Sequence, residues 1–184
     1  DILPGVIEES HYSKDTQSDY VGALCTRVKS LTNGIYGSVL CAEDALSDAE
    51  MFDQNVIVDL SRVGSMETKS LLMGILVMKL QEYRMCSSGM NSRLRHVTVL
   101  EEAHNLLRKT SAEQSQEGAN LQGKSVEMLA NAIAEMRTYG EGFIIADQAP
   151  GLLDMSVIRN TNTKIILRLP DEEDRKLVGK SAAL

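Results

Sequence analysis

The sequence predicts an α/β fold built on a parallel sheet, and three observations carry that expectation. Short β-branched apolar runs alternate with longer segments of helical period, the pattern that parallel strands joined by right-handed helical crossovers produce. Aromatic residues make up only 4% of the chain and Trp is absent, while Leu, Ile, Val and Met abound, which suits a layered α/β core better than an aromatic-rich β-sandwich. The most strand-like run, in HVTVLEEAHNLL, stops abruptly at Glu101 and Glu102. Ligands of open α/β sheets sit at the carboxyl ends of the strands, so two acids there are placed for a cation or a polarised water.

Taken in order, residues 1–18 form a polar lead segment, and 1–16, with Pro4 and Gly5 and no sustained period, read as a loop or tether. Val21, Leu24, Val28 and Leu31 recur at helical spacing, and Asn33-Gly34 supplies the stop. A short strand, IYGSVLC, is expected at 35–41. Glu43, Asp44, Asp48, Glu50 and Asp53 then read as a solvated connector, because their spacing is not that of a calcium loop. NVIVDL at 55–60 is a strand candidate, with Asp59 near its end as a minor polar candidate for the site.

Ser65 is placed to cap a helix running to about Met85, with Glu67 in its first turn. Residues 71–78 are apolar nearly all round, which implies burial on both sides. Arg84, Arg93 and Arg95 surround a Ser-Gly-Asn loop, read first as a solvated turn and second as a phosphate-backbone contact. The strand at 97–100 comes next, with a short helix from Ala103 to Leu107, then a polar, Gly-containing loop over 108–123. Val126, Leu129, Ile133 and Met136 define an amphipathic helix ending at Gly140. FIIAD at 143–147 is a strand terminating at Gln148, with Ala149-Pro150-Gly151 closing the element. KIILRL at 164–169 is another, and Asp171 caps the last helix with Asp174 three residues on.

At 184 residues and 43% hydrophobic content the chain has enough apolar side chains for one substantial core, and a single domain is expected. Nineteen basic against twenty-six acidic residues, a net charge of −7, give no global sign of nucleic-acid binding, so any such contact must be local. Cys25, Cys41 and Cys86 lack metal-ligand spacing and read as reduced thiols of a cytoplasmic protein. No apolar run approaches the ~20 residues of a membrane span, and no signal peptide is seen. The start at Asp1 and the end inside a helical pattern lead to the expectation of an excerpt from a longer protein.

Glu101 and Glu102 have an equal competitor to a catalytic role: acids also stabilise the positive amino end of a helix. Residues Gly118 to Ser125, GANLQGKS, match G-x-x-x-x-G-K-[ST] letter for letter. A phosphate loop needs a buried strand to deliver its glycines to a helix amino terminus, and the preceding KTSAEQSQE is polar, so the match is read as a decoy. His104 reads as a satisfied polar residue rather than a ligand, because Glu102-Ala103-His104 lacks a zinc-binding helical spacing.

Three blocks, VTVLEEAHNLL, AIAEMRTYGEGFIIADQAPGLL and NTNTKIILRL followed by PDEEDRKLV, resemble the HerA-like branch of the HerA/FtsK superfamily of ring-forming P-loop motor ATPases. The resemblance extends from about Asn55 to the C-terminus. It implies a three-layer RecA-like (ASCE P-loop NTPase) parallel sheet, incomplete here, with residues 19–184 as the C-terminal portion of the core and the Walker A strand and loop upstream. It further implies ATP and Mg²⁺ as cofactors. Glu101 takes the Walker B position in the Mg²⁺ shell, one methylene longer than the more usual Asp, and Glu102 polarises the attacking water. Gln148 becomes the γ-phosphate sensor and, with Glu101, a nucleotide contact. Arg168, and after it Arg137, are candidates for the arginine that a ring neighbour presents to the γ-phosphate; their competing readings are an ion pair with Asp171 and dipole compensation at a helix end. The implied assembly is a homo-hexamer moving DNA, with room for a nuclease partner, and with the 108–124 loop or the basic 84–96 segment facing the strand. A DEAH-type helicase lobe, a secretion or conjugation motor, and a non-catalytic assembly fragment are the alternatives.

Overall fold

The computed structural model describes residues 2–10, 12–109 and 121–182, and the chain divides into two compact units, 1–47 and 48–184. The division falls inside the acidic connector rather than after residue 18. The first unit is helical: α1 (Leu3–Glu8), α2 (Lys14–Leu31) and α3 (Gly34–Leu40). The lead segment is thus not a loop. Pro4 occupies the first turn of α1, where its missing N–H costs nothing, and the Ser13 side chain accepts from the Thr16 N–H to cap α2. The strand expected at 35–41 is also corrected to a helix. Ile35, Tyr36, Val39 and Leu40 recur at i, i+1, i+4 and i+5, a helical period that the β-branched composition obscured.

The second unit is α/β, a small two-stranded parallel sheet flanked by helices. It contains α4 (Asp48–Phe52), α5 (Met66–Ser87), β1 (His96–Glu101), α6 (Leu121–Met136), β2 (Glu141–Ala146), α7 (Met155–Asn160) and α8 (Glu172–Ser181). β1 and β2 pair in parallel, His96 opposite Glu141 through to Glu101 opposite Ala146. Ser65 caps α5 and Asp171 caps α8, each accepting from the backbone N–H three residues on. α6 passes through a 3-10 turn, Arg137–Tyr139, to Gly140, whose φ of +82° ends it. A side chain at 140 would also run into the Arg93 carbonyl, so glycine is required there on two counts.

Alternation along the strands decides which face is buried. Leu100 with Phe143 and Ile145 packs against Val77 and Leu80 of α5 and Leu129, Ala130 and Met136 of α6. Val97, Val99 and Ile144 point the other way and are exposed. Leu71 and Ile75 of α5 are exposed as well, so the two-sided burial expected for that helix is not found.

Of the expected parallel strands, only β1 and β2 form a ladder among the described residues. Residues 55–60 and 164–169 carry no strand pairing, and Ile57, Ile165 and Leu167 are 94%, 89% and 82% exposed. The composition is that of a strand, but a strand is stabilised by its neighbour, and no strand among the described residues pairs with these two.

Candidate functional site

Both strands of the pair end in polar turns on the same side. At the end of β1 the chain makes a sharp turn: Glu102 has φ +50° and ψ +45°, the left-handed region, and Ala103–Asn105 form a single 3-10 turn rather than the longer helix expected to Leu107. Ala103, Leu106 and Leu107 are buried beneath it and fix its position. At the end of β2, Asp147 and Gln148 lead into a second 3-10 turn, Pro150–Leu152. The two exits are zipped together: Lys109 N–H donates to the Leu152 carbonyl at 2.8 Å and Asp154 N–H to the Leu107 carbonyl at 2.9 Å.

This brings Glu102 and Gln148, 46 residues apart in sequence, into direct contact. The Gln148 Nε2 donates to Glu102 Oε1 at 3.0 Å. Beneath them lies Asp147, whose side chain is 2% exposed. Its Oδ1 accepts from the Ala149 N–H at 2.8 Å, and its Oδ2 accepts from the His104 backbone N–H at 2.8 Å and faces His104 Nδ1 at 3.0 Å. His104 Nδ1 also lies 3.4 Å from Glu102 Oε2. Among the described residues, His104 is the only ion-pairing partner of Glu102 and of Asp147. No arginine or lysine among the described residues is paired with either carboxylate.

Glu101 is exposed at the last position of β1, opposite Ala146. Glu102, His104 and Asp147 each present a potential metal-ligand atom within 4.8 Å of one another, and Glu101 is not in that set. The carboxylates that converge here are thus Glu102 and Asp147 rather than Glu101 and Glu102, because successive strand residues point to opposite faces. The His104 backbone N–H and Nδ1 are both engaged by Asp147. Arg137 lies in the 3-10 turn after α6 and Arg168 in the unpaired 164–169 segment; both are exposed, and no ion pair joins Arg168 to Asp171 among the described residues. Asp59 accepts from the Ser61 N–H at 2.8 Å in a local turn, and that backbone hydrogen bond is the main cause holding its carboxyl below the usual range. Residues 110–120, and with them Gly118 to Asn120 of the GANLQGKS match and most of the 108–124 loop, lie outside the described residues; Leu121 to Ser125 form the first turn of α6.

The opposite, amino-terminal end of the strand pair holds a second polar cluster that sequence reasoning missed. The Glu141 side chain is fully buried and accepts from Arg84 Nε at 2.8 Å and Thr98 Oγ1 at 2.6 Å, with His96 Nδ1 at 2.8 Å. Arg84 is 3% exposed; it also donates to Asp53 Oδ1 at 2.6 Å and to the Phe52 carbonyl at 2.5 Å. Tyr83 donates to Asp53 Oδ2 at 2.5 Å, and this bond, with Arg84 second, holds the Asp53 carboxyl below its ordinary value. Arg84 is therefore consumed internally and does not join Arg93 and Arg95 in a basic surface. The available signal was slight: an arginine in the last turn of a helix and a glutamate just after the glycine that ends the next one.

No protein-family model, curated protein or solved structure matches this chain. None of the helices among the described residues is long and apolar enough to cross a membrane.

Proposed function

We propose that the carboxyl end of the β1–β2 pair is the hydrolytic half of a nucleoside-triphosphatase site, in a RecA-like motor core of the HerA/FtsK kind that uses ATP and Mg²⁺. The observation that carries this reading is the 3.0 Å contact between Glu102 and Gln148 across adjacent parallel strand ends. It unites an acid able to orient a water with an amide able to sense a phosphate oxygen, in a place where no arginine or lysine among the described residues pairs with the carboxylates. Phosphoryl transfer needs little covalent help from a protein; positioning and charge neutralisation supply most of the rate.

The exposed carboxylates suit a hard divalent cation: Glu102 offers oxygens directly and Glu101, one residue away, offers them through water. Mg²⁺ bound there would neutralise charge on the phosphate oxygens. On this chain's side, Glu102 accepts a proton-bearing water and Gln148 donates toward the phosphate. Arg168, ahead of Arg137, is proposed to act in trans from a neighbouring subunit of a homo-hexamer. DNA as the moved polymer, a nuclease partner and a cytoplasmic location belong to the same proposal. The unpaired strand-like segments at 55–60 and 164–169 support it to the extent that they have the composition of further sheet strands awaiting neighbours.

The test is Glu102→Gln in the intact protein. ATP hydrolysis is expected to fall at least about 100-fold, the usual contribution of a positioned acid-base group, with ATP affinity retained. Undiminished turnover in that variant overturns the assignment. The reading also requires a strand followed by G-x-x-x-x-G-K-[ST] in the encoded residues upstream of Asp1, and a parent gene without one removes it.

A further inference from the structure

Asp147 has no role in the reading above, yet it is the most deeply buried carboxylate at this end of the sheet. Burying a carboxylate is expensive unless its oxygens are well supplied with donors. Here both oxygens are supplied, and every donor comes from one of the two turns that carry the site. The Ala149 N–H belongs to the turn bearing Gln148, and the His104 N–H and Nδ1 belong to the turn bearing Glu102. A carboxylate only accepts, so His104 Nδ1 carries the hydrogen toward Asp147. Glu102 is held at one oxygen by Gln148, and the imidazole that Asp147 fixes lies 3.4 Å from the other.

The held conformation is one the chain would not choose. A non-glycine residue in the left-handed region is strained and persists only where its surroundings over-determine it. The bonds from Asp147 to the backbone and ring of His104, two residues beyond Glu102, provide that constraint. We infer that Asp147 is a positioning residue: acting through His104, it clamps the left-handed Glu102 turn against the Gln148 turn and so sets the orientation of the water-directing carboxylate. This rests on the role proposed for Glu102; the clamp itself rests only on the geometry.

Asp147→Asn keeps the size and the acceptor for Ala149 but sets an amide against donors from His104. In the ¹⁵N-labelled chain, the wild-type His104 ring is expected as the Nδ1–H tautomer by its nitrogen chemical shifts, and the Asn variant is expected to lose that tautomer. In the intact protein with ATP and Mg²⁺, the same variant should lose about tenfold to hundredfold in turnover, the range typical of residues that orient a reacting group, with ATP affinity changed less than about twofold. If Asp147→Asn does not fold, His104 decides. His104→Asn, whose amide N–H can replace Nδ1–H, should keep most of the turnover, and His104→Leu should lose about tenfold. A wild-type Nε2–H tautomer, turnover within twofold of wild type in Asp147→Asn, or equal turnover in the two His104 variants overturns the proposal. A wild-type protein that hydrolyses no ATP, with the Nδ1–H tautomer present, overturns the hydrolase reading and leaves the clamp standing.

Discussion

The two ends of the β1–β2 pair are both rich in charge, and they use it in opposite ways. At the amino end, Glu141 and Asp53 share the Arg84 guanidinium, the glutamate is sealed from water, and Arg84, Thr98 and His96 surround its oxygens. At the carboxyl end, Glu102 and Asp147 share a single imidazole, Glu102 is exposed, and its backbone is strained. A cluster built around a buried guanidinium holds two strands and a helix together; an exposed carboxylate in a strained turn, with no arginine or lysine paired to it among the described residues, is available to a ligand. The comparison teaches that charge near a sheet is not itself a sign of a site. What distinguishes the two ends is whether a permanent positive charge is built in beside the acids.

That contrast can be broken by mutation, most severely at the amino end. Glu141→Ala leaves buried Arg84 with only the half-exposed Asp53 carboxylate and takes the acceptor from Thr98, and should cost about 3–5 kcal/mol in urea unfolding, as removing one partner of a buried pair does. A loss below about 1 kcal/mol would show the cluster to be dispensable. The paired replacement Arg84→Met with Glu141→Leu should cost far less than Glu141→Ala alone, because hydrophobic groups of similar volume remove the charge and its partner together. At the other end the sign reverses. Glu102→Gly relieves the left-handed strain and should stabilise the fold by about 1 kcal/mol, while removing the proposed function. Destabilisation instead would mean that the Glu102 side chain holds the turn in place.

The smallest effect is one of pH. The hydrogen bonds from Tyr83 and Arg84 hold the Asp53 carboxyl low in the folded chain, so its contribution to stability is complete above the unfolded carboxyl value. It is lost as pH falls through the lower folded value, which places the window below about pH 4. Asp53→Asn should therefore lower stability at neutral pH and make unfolding less sensitive to acid in that window. An acid limb identical to wild type would show that the Asp53 bond contributes nothing.

Much of the second unit was legible in advance because its signals are local. The Ser65 and Asp171 caps, the helical period ending at Gly140, and the β-branched runs at 97–100 and 143–147 all reappear within a few residues of their expected places. The meeting of Glu102 and Gln148 was foreseeable because both terminate parallel strands. Residues 35–41 went wrong because β-branched composition outweighed a short helical period. Asp147 was passed over as the last letter of a strand, and Arg84 as part of a basic loop. In each case the partner that gives the residue its role lies 30 or more residues away.

By itself the sequence determined the alternation of helices and strand-like runs, the caps that bound them, and the presence of acids and an amide at strand ends, since each depends on neighbours within a turn or two of chain. Which runs became a sheet was decided only in three dimensions, because a ladder needs a second strand, and 55–60 and 164–169 show that propensity without a partner leaves apolar residues in water. Tertiary structure alone also separated the two charged clusters into one built around a buried guanidinium and one without such a partner among the described residues, because burial and ion pairing are properties of the space between elements.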